Sequence, residues 1–238
     1  MKFLTTLKFQ RNFRLIKNLK FLTISKILLI FIVPFLLFLV VVNFYGFDSP
    51  FYQQKFLEYG VQQDVAEASA LHQKIVNFVT GKNDELPDEL NEREKQHLWD
   101  VRDVVRIATI LLYILIILFI ILLIVSALIL KVNNYVINFV GKVLVFGGFL
   151  TILMSAIIFF LISSDFAAAF ESFHKLLFEK GTYLFDPAKE MLVRLYPEQL
   201  FMDLGIKISE MVILASVVII LFGTFLMLKS KNKKNKKR

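Results

Sequence analysis

The chain has 238 residues, three histidines and no cysteine. Thiol nucleophiles, thiolate metal sites and disulfides are therefore excluded, and imidazole is the side chain whose charge changes near neutral pH. His97 lies in NEREKQHLWDVRDVVR (residues 91–106) and His174 in FHKLLFEKGTYLFDP (residues 173–187). Asp100, three residues after His97, shares its face of a helix and is spaced to hold the imidazole in one tautomer. His72 has no charged partner three or four residues on and reads as structural. On residue types alone, His97 and His174 read equally well as hydrogen-bonded members of a small packed cap. No HExxH, GxSxG or Walker loop is present.

The element that must carry His97 starts at Asn91. Asn91 and Glu94 have capping-box spacing, in which each satisfies an unpaired backbone donor. No Gly or Pro interrupts the chain from there to Leu130, so the pattern predicts one helix running from a charged outer segment into an apolar run. Hydrophobic residues make up 57% of the chain, 26 of them Phe, and mean hydropathy is +0.65. Apolar residues in blocks this long define an integral membrane protein.

The expected organisation is an all-α membrane protein with four transmembrane helices and a small extracytoplasmic helical cap. Residues 1–26 form a basic juxtamembrane arm, with Lys2, Lys8, Arg11, Arg14, Lys17 and Lys20 at headgroup level and Phe3, Leu7, Phe13 and Phe21 beneath. The first span follows at 27–44, too long for a signal h-region and lacking a small-residue cleavage site, with Pro34 as a possible kink. Residues 45–106 form the cap. Its apolar positions recur at helical spacing (Phe51, Phe56, Leu57, Tyr59, then Val65, Ala68, Leu71, Ile75, Val76, Val79), with a break from Gly81 to Pro87. A second span at 107–130, a turn at 131–142 and a third span at 143–162 come next; Gly147 and Gly148 offer close helix approach. An aromatic-rich extracytoplasmic segment at 163–208, a fourth span at 209–228 and a basic tail at 229–238 complete the chain.

Every Asp and Glu falls within 43–106 or 163–210. The acid-free arm, turn and tail are rich in Lys and Arg, so the positive-inside rule puts both termini in the cytoplasm and both histidine segments outside. The net charge of +8 is thereby explained by topology, and nucleic acid is not an expected partner. The span interiors hold no Asp, Glu, Lys, Arg or His, which disfavours an ion pump or ion-coupled transporter. His97 stands about ten residues before the second span and His174 about ten after the third, at matching heights of roughly 15 Å.

The segment 91–104 is similar to the E-R-E-x-x-H-M-x-D-V-[KR] motif of the lipoprotein intramolecular transacylases (Lit), and 173–187 resembles their F-H-x-x-x-F…W-x-F-D-P segment. LYPEQLF at 195–201, FYQQKFLEYG at 51–60 and the four-span layout extend the resemblance over nearly the whole chain. Leu98 stands where Met is usual and Tyr183 where Trp is expected; both keep an apolar or aromatic wall.

The resemblance implies an enzyme that moves the sn-2 acyl chain of a diacylglyceryl-modified lipoprotein onto the α-amine of that lipoprotein's N-terminal cysteine, giving the lyso form. It lifts His97 and His174 to catalytic candidates, with His97 expected as base oriented by Asp100 and His174 as acid or oxyanion donor, the reverse assignment remaining open. Asp100, Arg102, Phe173, Tyr183, Phe185 and Asp186 are the expected supporting residues, with Phe170 and Phe178 as further walls. No cofactor or metal is expected; the partners are diacylglyceryl lipoproteins and membrane lipid, the state monomeric and the location the bacterial cell membrane. Two other readings stand beside this one. One is a metal-dependent outer-face lipid hydrolase with zinc on His97, Asp100 and His174, the other a non-catalytic membrane scaffold or assembly factor.

Overall fold

The computed structural model describes residues 2–178 and 183–235, with side chains for 15–178 and 183–232. The arm residues Lys2, Lys8, Arg11 and Arg14, with Phe3, Leu7 and Phe13, have side chains outside that set, as does the end of the basic tail. The described residues form nine helices and no strand: α1 (Lys2–Tyr45), α2 (Ser49–Glu58), α3 (Val61–Asp64), α4 (Ala68–Val79), α5 (Glu92–Leu130), α6 (Asn133–Ser164), α7 (Phe166–Leu177), α8 (Met191–Leu195) and α9 (Glu198–Asn235). Four of them, α1, α5, α6 and α9, are long and apolar enough to cross a membrane, and the protein is a multi-pass membrane protein.

Each of these four outruns its apolar stretch. The 39 residues of α5 would reach roughly 58 Å, about twice the hydrocarbon core. Arm and first span share one helix, with Pro34 inside it. The connection between α5 and α6 is only Lys131–Val132, with Lys131 at φ 57°, because residues 133–140 contain no helix breaker and join the helix that follows. In the same way α9 starts directly after Pro197, with Glu198 in its first turn where the helix dipole favours an acid.

The chain divides into two compact units. One comprises 1–37, 114–154 and 213–238. Its buried centre is Leu29, Val33 and Val143, and the Ser25 and Ser126 hydroxyls meet at 2.8 Å. The close approach expected at the glycine pair is present. A Cβ on Gly147 would stand 2.7 Å from the Cβ of Val33, and one on Gly148 2.5 Å from Cγ1 of Ile220.

The other unit comprises 38–113 and 155–212. Its core joins Tyr52, Phe56, Leu71, Ile75 and Phe78 to Leu98 of α5, Leu195 of α8 and Leu200 of α9. The spacing of Ala68, Leu71, Ile75, Val76 and Val79 marked the buried face of α4 correctly. Leu57 is a correction: it is 67% exposed, because α2 packs through Tyr52 and Phe56, and the next residue turns about 100° away. Asp203 on α9 accepts from Tyr59 at 2.6 Å and pairs with Lys55 at 2.5 Å, fastening α9 to the cap helices.

His72 lies in this core, 2% exposed, stacked on Tyr52 at 4.2 Å, with Nδ1 2.9 Å from the Tyr196 hydroxyl. Burial pushes its pKa down to about 4 from an ordinary 6.5. A folded-state pKa below the unfolded one means that the unfolded chain takes up the proton first. Stability is therefore unaffected at pH 7 and is lost as pH falls from 6.5 towards 4, by on the order of 3 kcal/mol. His72→Gln keeps a partner for Tyr196 and does not titrate, so the drop in melting temperature between pH 7.5 and 4.5 should be smaller than in the parent. An equal drop would place the acid sensitivity elsewhere.

Candidate active site

The site is built from the first turn of α5. The Asn91 side chain accepts from the backbone N–H groups of Arg93 at 2.9 Å and Glu94 at 3.0 Å, and Oε2 of Glu94 accepts from the Asn91 N–H at 2.8 Å. That is the capping box the spacing predicted. Glu94 does more than cap, however. It is 1% exposed, and its other oxygen accepts the backbone N–H of Leu192 at 2.7 Å, so one buried carboxylate ties the start of α5 to α8. Neighbouring Arg93 pairs with Glu190 at 3.1 Å, donates to the Leu184 carbonyl and lies over the Phe185 ring at 5.4 Å. Glu190 is itself buried and accepts from the Asp186 N–H. Adjacent residues of one helical turn thus hold the segment 183–192 by its backbone.

His97 is one turn beyond Glu94. Its ring is buried between Phe178 (4.9 Å) and Phe185 (5.4 Å) and lies 6.4 Å from the ring of His174, the two planes only 23° apart. His174 sits in the last turn of α7, a helix capped by Asp165 accepting from Ala168 N–H at 3.0 Å. Around it are Phe170 (4.1 Å), Tyr183 (5.0 Å), Phe173 (5.5 Å) and Phe178 (5.5 Å). The structure therefore brings together His97, His174, Phe173, Tyr183 and Phe185 from the expected set, with Phe170 and Phe178. Residues 179–182, which link two of these walls, lie outside the described set.

The two imidazoles differ in their bonds. Nδ1 of His174 lies 2.8 Å from the Phe170 carbonyl oxygen, which can only accept. The proton is therefore on Nδ1, and in the neutral ring Nε2 carries a lone pair. Nδ1 of His97 is buried with no hydrogen-bond partner among the described residues. Burial, with the neighbouring His174 adding to it, pushes the His97 pKa down to about 4. Burial also lowers that of His174, opposed by the bond to Phe170. Burial thus favours the neutral form of both rings.

Three expected supports are elsewhere. Asp100 accepts from Gln96 at 3.5 Å, and among the described residues no hydrogen bond joins it to His97, whose ring packs on Phe178 and Phe185 instead. Arg102 bonds Asp84 at 2.5 Å and stacks on Phe78 (4.8 Å) and Trp99 (5.2 Å). Asp186 closes a turn by accepting from the Ala188 N–H at 3.0 Å. Among the described residues no three His, Asp or Glu side chains are grouped to hold a metal ion, so His97, Asp100 and His174 do not form the ligand set considered for zinc. Sequence reasoning missed Glu190 and the anchoring roles of Arg93 and Glu94. Paired opposite charges flanking the two histidine motifs were the available signal.

The family model of the lipoprotein intramolecular transacylase Lit matches residues 4–201. The in meso structure of the membrane-integral lipoprotein intramolecular transacylase Lit from Bacillus cereus is similar with a TM-score of 0.77 at 20% identity, covering 88% of this chain and 97% of that one. A form of the Bacillus cereus protein with a histidine-to-arginine mutation gives a TM-score of 0.73 at 19% identity over 96% and 98% of the two chains. One with histidine changed to alanine gives 0.73 at 19% over 95% and 99%. No curated protein matches the chain.

Proposed function

Because the chain belongs to the lipoprotein intramolecular transacylase family, we propose that it isomerises a diacylglyceryl lipoprotein by moving the sn-2 acyl chain from oxygen to nitrogen, with His174 as base and His97 as hydrogen-bond donor to the oxyanion. The cysteine amine attacks the ester carbonyl. The new bond joins the amine nitrogen to the acyl carbon, the bond broken is that between the acyl carbon and the glyceryl oxygen, and the amine proton ends on the glyceryl oxygen. No atom is gained or lost, and no cofactor is needed.

The observation that carries this reading is the pair of near-parallel imidazoles 6.4 Å apart, close enough for one ester to reach both. The Phe170 carbonyl fixes the His174 tautomer that presents a basic Nε2, and it also steadies the imidazolium formed on proton uptake. Among the described residues His97 has no such orienting acceptor on Nδ1, and burial favours its neutral form, which suits a donor to developing negative charge. This reverses the roles expected from the spacing of Asp100. A free α-amine titrates near 7.7–8.0, so neutral imidazole is a competent acceptor for its proton.

The attack closes a medium ring through the amine nitrogen, the cysteine carbons and sulfur, two glyceryl carbons, the ester oxygen and the acyl carbon. Such a curl is improbable in free lipid. Holding it contributes up to roughly 7–11 kcal/mol in the best cases, and the aromatic walls supply the confinement while keeping out the water that would hydrolyse the ester. Both termini are assigned to the cytoplasm of a bacterial cell and the histidines to the outer side, on the strength of the charge asymmetry. The exposed Phe173, Leu176 and Leu184 near the site suit contact with lipid chains.

The test is purified protein acting on a synthetic diacylglyceryl lipopeptide. The expected product has the mass of the substrate, has lost its reactive amine and fragments as an N-acyl amide. Release of free fatty acid would instead indicate a hydrolase, and unchanged substrate a scaffold.

A further inference from the structure

The geometry points to a second binding site, separate from the histidine pair, that takes the phosphoglycerol headgroup of an anionic membrane phospholipid. Within the unit that holds the cap, a cleft of about 510 Å³ opens between the end of α1, the start of α2, α4 and α5. This is the size range of small-molecule sites. None of its lining residues is among the ring contacts and hydrogen bonds described above for His97 and His174.

The lining is mixed in character. Asn43 and Phe44 close the apolar run of α1, and Val105 and Thr109 flank the start of the apolar run of α5, so these residues belong at a membrane boundary. Phe44 is 78% exposed. Ser49, Gln73 and Thr80 line the rest, with Lys82 from the loop after α4. Apolar side chains where two spans meet the cap (Phe44, Phe47, Val105), together with one cation, match an acyl chain and a phosphate.

The hydrogen bonds already made narrow the ligand further. Thr80 and Thr109 spend their hydroxyl protons on the Val76 carbonyl (2.6 Å) and the Val105 carbonyl (2.9 Å), and Ser49 spends its own on Gln73 (3.1 Å). What these hydroxyls have left are acceptor lone pairs. Lys82 supplies the charge. Asp84, two residues on, is engaged by Arg102 at 2.5 Å, and no carboxylate pairs with Lys82 among the described residues. The complementary ligand has one anionic group, free hydroxyl donors and an apolar tail. Phosphatidylglycerol has all three, whereas phosphatidylcholine has neither net charge nor hydroxyl donors in its headgroup.

The experiment is native mass spectrometry of the full-length protein titrated with phosphatidylglycerol and phosphatidylcholine of identical chains. Phosphatidylglycerol should bind more tightly. Lys82→Glu, at an exposed loop position, should weaken it by about fivefold or more, the equivalent of the ~1 kcal/mol that a lysine contributes beside an anionic lipid. Thr109→Trp, which fills the cleft, should abolish the preference. Lys82→Glu should leave acyl transfer by the histidine pair intact, so the cleft and the proposed reaction can fail independently. Equal binding of the two lipids, or an undiminished preference in Lys82→Glu, would overturn the site. Competition by glycerol phosphate free in solution would also overturn it, by assigning the cleft to a soluble phosphate.

Discussion

Replacing either imidazole with alanine is expected to stop acyl transfer while leaving the protein folded in the membrane. The loss for His174→Ala should be about 10²–10⁴-fold, the range for removal of a positioned general base, and that for His97→Ala about 10²–10³-fold, the range for an oxyanion donor. Neither ring is needed for the fold. His174 sits on α7, a helix with no buried residue, and among the described residues it bonds only within its own turn. His97 packs against rings that would close over the space left behind. Melting temperature and yield should therefore stay near parental values, and fragmentation of the lipopeptide should show the ester untouched. Parental turnover in either variant would remove that residue from the chemistry.

The second large effect is expected at Glu94, whose carboxylate is buried and bonded to backbone. Its two buried oxygens satisfy the backbone donors of Asn91 and Leu192. Glu94→Ala orphans both, and each unsatisfied buried donor costs about 1–3 kcal/mol. The melting temperature should fall by several degrees, and turnover should fall with it, since the end of α5 that aims His97 and the segment that carries Tyr183 and Phe185 both lose their anchor. Glu94→Gln retains one acceptor and one capping bond, so it should recover part of both. An unaltered melting temperature in Glu94→Ala would mean that the carboxylate is not the tie between α5 and α8.

Periodic features were legible without coordinates. The four apolar runs, the buried stripe of α4 and the Asn91–Glu94 box all follow from spacing within a few turns, where helix geometry alone determines which side chains meet. The meeting of His97 and His174 was legible only as equal distances from two spans, together with the family resemblance. Long-range partners were not. Arg93 and Glu190 are 97 positions apart, and no local pattern pairs them. The expectation for Asp100 failed for a related reason. Spacing put the carboxylate on the right helix face, but Gln96 is also within reach, and the aromatic cluster turns the imidazole toward α7.

That both imidazoles serve one ester is tested most directly by single-turnover rates of the parent, His97→Ala, His174→Ala and the double variant on the same lipopeptide. Groups acting as a unit are strongly non-additive, so the double variant should be hardly slower than the slower single one. Losses that multiply across the two positions, or a double variant that still turns over at the parental rate, would contradict a shared site.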